Sequence, residues 1–75
     1  MELNDFKVGE YYFYNNESGE RKCIDLCILE NNILYLKQVI NIENCEKWQN
    51  ESRELSEVYL PYYRQLTDLE KVKYL

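Results

Sequence analysis

A chain of 75 residues has room for one small domain, residues 1–75, which on folding buries only about 60% of its extended surface. A hydrophobic content of 45%, with 15% aromatic residues, argues for a packed core rather than disorder. A net charge of −5 and the absence of histidine exclude a basic phosphate-binding surface and the usual neutral-pH general base.

Residues 6–14 (Phe6 to Tyr14) are rich in aromatics and predict a first strand, closed by the turn cluster Asn15-Asn-Glu-Ser-Gly19. Residues 22–30 predict a second strand and residues 33–40 a third. Between them Asn31-Asn32 supplies the two residues tolerant of positive φ that a two-residue hairpin loop requires. That loop sets a register. One face pairs Ile28 with Tyr35, Leu26 with Lys37 and Ile24 with Val39. The other pairs Leu29 with Leu34, Cys27 with Leu36, Asp25 with Gln38 and Cys23 with Ile40. Both faces are largely apolar near the turn, so the sheet must curl on itself, lie under a helix or pair with another chain.

Residues 42–59 admit two readings. Cys45, Trp48, Ser52, Leu55 and Tyr59 recur at the spacing of one helical stripe, and on that wheel Glu43, Glu46, Glu51, Glu54 and Glu57 gather on the far side. A helix here buries Trp48 and presents an acidic ridge. Asn44, Asn50 and Ser52 oppose it, and the rival reading has a loop at 41–51 and a fourth strand near 53–60. The helical reading is the one favoured. Pro61 then sits in a connector, and Thr67-Asp-Leu-Glu70 matches a capping box opening a C-terminal helix. Leu69, Val72 and either Tyr74 or Leu75 are expected to dock that helix on the sheet.

Catalytic and metal chemistry finds little material. Cys23, Cys27 and Cys45 form no CxxC pair and have no histidine to complete a zinc site, which predicts structural thiols. The two glycines, Gly9 and Gly19, cannot build a phosphate loop. Asp25 is the one acid inside an apolar strand, a candidate perturbed carboxyl that Gln38 opposite would satisfy. Arg64, beside Tyr62 and Tyr63, is placed to stack on aromatic rings. No enzyme, cofactor or metal is expected. No spanning segment or signal peptide is evident, so the expected compartment is the cytoplasm, with reduced thiols.

The opening Leu3-x-x-Phe6-x-Val8-Gly9-Glu10-Tyr11, followed by a hairpin, resembles the first strand and turn of small SH3-like barrels. In size, acidity and tyrosine content the chain is similar to small phage or plasmid inhibitors: anti-CRISPR proteins, DNA mimics and immunity proteins that block nuclease toxins. Alanine is absent while Asn, Ile, Lys and Tyr supply 27 residues, as an AT-rich coding sequence would give, and this fits such elements.

The expected fold is therefore α+β: a curled antiparallel sheet of three or four strands, with a C-terminal helix and an acidic helix across 42–59. The expected function is a non-enzymatic, anti-defence type inhibitor, acting in the host cytoplasm, that occupies a basic nucleic-acid-binding surface of a host protein without touching nucleic acid or membrane. Glu43, Glu46, Glu51, Glu54 and Glu57 would supply charge, with Trp48, Tyr59, Tyr62 and Tyr63 as anchors. The alternative is a homodimeric or larger structural module that buries the hairpin faces, Leu34 and Leu36 among them, against a copy of itself.

Overall fold

A computed structural model describes residues 1–75 and contains five strands and one α-helix. The strands are β1 (Tyr11–Asn15), β2 (Lys22–Glu30), β3 (Ile33–Glu43), β4 (Ser52–Glu54) and β5 (Tyr63–Gln65), and the helix is α1 (Asp68–Tyr74). They form one antiparallel sheet in the order β4-β3-β2-β1-β5. The α+β class is as expected, but the sheet has five strands rather than three or four. The additional edge strands are three residues each, too short to carry an alternating signature.

The central hairpin follows its turn chemistry. Asn31 and Asn32 take φ of 51° and 65°, and the pairs from Glu30–Ile33 to Asp25–Gln38 fall in the expected register. Beyond Asp25 the register slips: Ile24 faces Ile40 instead of Val39, and Cys23 faces Asn41 instead of Ile40. These irregularities bend the pair of strands and increase its twist. β1 starts at Tyr11 rather than Phe6, because Gly9 adopts φ of +88°, a left-handed kink that a strand cannot continue through.

The helix expected across 42–59 does not form. β3 runs on to Glu43, a 3-10 turn spans Glu46–Trp48, β4 follows, and a second 3-10 turn covers Glu57–Tyr62. Asn44 and Asn50 occupy left-handed φ of 59° and 69°, which interrupts any right-handed helix at both points. The rival reading, a loop with a strand after it, lies closer to the structure. The stripe reported burial correctly at four of its five positions, Ser52 being exposed, while misreporting its cause. Cys45 is buried and Trp48, Leu55 and Tyr59 are half-buried, but each is turned inward by a different local structure.

Strand alternation separates two apolar groups. Phe6, Tyr12, Cys27, Leu36 and Tyr63 pack on the inner face of the curled sheet, flanked by Tyr14, Leu34, Leu55, Tyr59 and Leu60. Phe13, Ile24 and Leu66 pack on the outer face, where Ile40, Ile42 and Tyr74 join them. The sheet thus curls on itself, and α1 touches its outer face through Tyr74 without covering it.

α1 begins as its capping box dictates: the Glu70 N–H donates to Thr67 Oγ1 at 3.1 Å and the Thr67 N–H to Glu70 Oε1 at 2.9 Å. Docking does not use Leu69 and Val72, which are 77% and 83% exposed. Glu70 is drawn inward by Arg64, at 2.7 and 2.8 Å, and Tyr74 lies one turn further along the same face. At 100° per residue, positions 69, 72 and 75 then point away from the sheet. No helix is long and apolar enough to cross a membrane.

Candidate functional site

The inner face of the sheet carries a row of polar groups that crosses every strand. Strand parity and register bring Tyr63, Tyr14, Cys23 with Asp25, Gln38 and Arg53 to that face from β5, β1, β2, β3 and β4 in turn. Asp25 lies at its centre with no exposed surface. One carboxylate oxygen accepts from the Tyr63 hydroxyl and the other from the Cys23 thiol, at 3.2 Å. Gln38 does not serve Asp25; its side-chain amide donates to the Cys45 carbonyl at 2.7 Å and so ties β3 to the following turn.

Burial sets the protonation behaviour of this row. It raises the Asp25 carboxyl above its ordinary value, with the Tyr63 and Cys23 hydrogen bonds and the Arg53 charge pulling the other way. Burial and the Asp25 charge push the Cys23 thiol and the Tyr63 hydroxyl upward, so both remain donors. The Cys27 and Cys45 thiols are likewise raised by burial, and all three cysteines are free and buried. These are poor nucleophiles packed as small apolar groups.

Where the curl brings β4 round toward β1, the row opens to solvent as a groove of about 280 Å³. Gln38 and Cys45 contribute to its lining, with Tyr14, Trp48 and Tyr59 as aromatic walls. Arg21 stands 4.1 Å from the Trp48 ring centre, and Arg53 is 4.5 Å from that of Tyr14 and 5.0 Å from that of Tyr59. Burial works against the Arg53 charge, but Tyr63, Tyr14 and Asp25 around it more than offset this, and its pKa moves up. Glu51 also lines the groove.

The residues expected at a partner surface are brought together only in part. Glu43, Glu46, Glu51, Glu54 and Glu57 are all exposed, yet they are distributed over the end of β3, both 3-10 turns, the link before β4 and β4 itself, not along one helix ridge. Glu43 makes a loose ion pair with Lys22 at 3.6 Å. Trp48 and Tyr59 meet in the groove, and Tyr62 sits apart against Tyr14 with ring centres 6.3 Å apart. Tyr63, at 4% exposure, is a core residue bound to Asp25, not an anchor for a partner. Arg64 does stack, on Phe13 at 4.0 Å, while it clamps Glu70.

Sequence reasoning sets Gln38 opposite Asp25, as the structure does, but does not find Arg21, Arg53 or the place of Tyr14 in this row. The parity of β1 and β2 puts Tyr14 on the face of Asp25. Arg53 was legible only by reading 52–54 as a strand. No family model matches the chain, and no curated protein or solved structure matches it at a significant level.

Proposed function

We propose that this protein is a non-enzymatic inhibitor encoded by a phage or other mobile element, which occupies a basic, nucleic-acid-binding surface of a host protein in the host cytoplasm. The observation that carries the reading is the surface formed by residues 43–57. Its five glutamates are exposed and, apart from the loose Lys22–Glu43 pair, none has a cation within ion-pair distance. Glu51 lines a groove whose walls include Trp48 and Tyr59, so charge for steering lies beside aromatic area for tight contact, while Glu54 projects from the other face of β4. The non-enzymatic part is supported by Asp25, whose carboxylate is wholly enclosed with both oxygens engaged. We read the fold as SH3-like on the strand order β4-β3-β2-β1-β5 and the 3-10 turn that leads into β5.

The test is a tagged pull-down from bacterial lysate at low and high salt, comparing the wild-type chain with a Glu46, Glu54, Glu57→Lys variant. A basic nucleic-acid-handling protein held by the wild type alone, and shed by salt, is the expected result. Equal retention by both chains would refute it.

Self-association is favoured by a separate observation, the outward stripe of Leu69 and Val72 on α1, continued by Leu75 just beyond it. The hairpin contributes less to it than expected, since Cys27 and Leu36 are spent in the core and only Leu29 and Ile33 at its tip are exposed. A dimer through α1 would dissociate on Val72→Lys, measured by light scattering. Unchanged mass in that variant would exclude this helix as the contact.

A further inference from the structure

We propose that the groove between β1, β4 and the two 3-10 turns is a carboxylate-binding site, which receives a single acidic side chain of a partner polypeptide. The chain has three arginines, Arg21, Arg53 and Arg64. Arg64 is fully engaged, forming a two-pronged contact with Glu70. The other two line this one groove, and neither has a carboxylate within ion-pair distance, although fourteen acids are present in the chain. Asp25, the charge beneath Arg53, already accepts from Tyr63 and Cys23.

Both guanidinium groups lie against aromatic rings, Arg21 on Trp48 and Arg53 between Tyr14 and Tyr59. Such packing limits the rotamers of a long side chain and leaves the in-plane edge of its guanidinium open to acceptors, the fork that matches a carboxylate; Arg53 shares part of that edge with the Tyr14 hydroxyl. The groove, at about 280 Å³, has space for one or two side chains.

The surroundings select the carrier of that anion. Glu54 projects from the other face of β4, but Glu51 lines the groove and Glu46 is exposed on the turn that carries Trp48. A polyanion with a charge at every unit would be repelled by them. A lone carboxylate flanked by lysine or arginine satisfies both parts: the anion meets Arg21 and Arg53, and the flanking cations meet the glutamates. The site therefore rests on, and narrows, the basic-partner reading given above.

The experiment is a nitrogen-edited NMR titration of the intact chain that follows the three arginine Nε–H signals, with Trp48 fluorescence in parallel. The probes are a blocked Lys-Leu-Phe-Glu-Leu-Lys peptide, its Gln twin, and phenyl phosphate. The proposal predicts that the Glu peptide moves the Arg21 and Arg53 signals, leaves Arg64 unmoved, and binds at least tenfold more tightly than the Gln twin. Arg21→Gln, at an exposed position, should weaken the Glu peptide at least fivefold while leaving the rest of the spectrum folded. Equal binding of the two peptides, tighter binding of phenyl phosphate than of the Glu peptide, or no change in Arg21→Gln would each overturn it. Because the probes are defined and the host partner is absent, these outcomes are independent of the pull-down. A partner retained there with no peptide discrimination here would remove the carboxylate site alone.

Discussion

Replacing Tyr63 with Phe isolates the bond at the centre of the inner face. The ring contacts stay, since Phe6 lies edge-on at 5.7 Å and Tyr14 at 5.2 Å, and only the hydroxyl that serves Asp25 is lost. Asp25 has no access to water, so a deleted donor is not replaced. A hydrogen bond to a charged group contributes about 1.5–3 kcal/mol, and the orphaned oxygen adds its desolvation cost, so the loss is about 3 kcal/mol with Asp25 ionised. It falls to about 1 kcal/mol when the carboxyl is protonated. The sign follows from the shift. Burial raises the folded Asp25 value above its unfolded one, so its contribution is greatest at low pH and is lost as pH rises through the raised value. The Tyr63 bond holds that value down, and the variant therefore loses more stability as pH rises. Urea unfolding at several pH values reads this directly, and with a slope of about 1 kcal/mol/M the midpoint should drop by about 3 M at the alkaline end. A loss below about 0.5 kcal/mol at every pH, or one independent of pH, would refute the reasoning.

Other consequences are equally concrete. Arg64 and the capping bonds hold the Glu70 carboxyl down to about 2, so its support of α1 is present above the ordinary carboxylate range and is lost as pH falls toward that value. Because the pair is solvent-facing, Glu70→Gln should cost no more than about 1 kcal/mol at neutral pH and flatten the acid limb of a pH–stability curve. Leu36→Ala, at 1% exposure in the inner core, should cost about 2–5 kcal/mol in thermal or urea unfolding. Asn32→Gly, at φ of 65°, should be neutral or slightly stabilising, whereas Asn32→Val should cost at least about 1 kcal/mol and broaden the β2–β3 amide signals.

The hairpin was legible because its information is local. Two asparagines set the turn, and a period of two residues carried the register as far as Asp25–Gln38. The capping box of α1 was local in the same sense. What the sequence concealed was set at long range. Leu69 and Val72 read as a docking face because no local signal reveals that Arg64 draws Glu70, and with it Tyr74, toward the sheet. In residues 42–59 the inward positions coincide with a helical spacing by accident of two left-handed asparagines and a three-residue strand. Reading that segment as a helix hid Arg53, and with it the groove. Tyr63 reads as an anchor in the sequence because nothing adjacent to it shows that its partner is Asp25, 38 residues away.

The account rests on residues 43–59 as the surface that meets a partner. Placing a photo-crosslinking amino acid at Glu54, and separately at Leu69, in the full chain tests this most directly. Irradiation in bacterial lysate should join the Glu54 derivative to a basic, nucleic-acid-handling protein and leave the Leu69 derivative uncoupled to it. A crosslink formed from Leu69 alone, and to a second copy of the chain, would contradict the account and make α1 the interface.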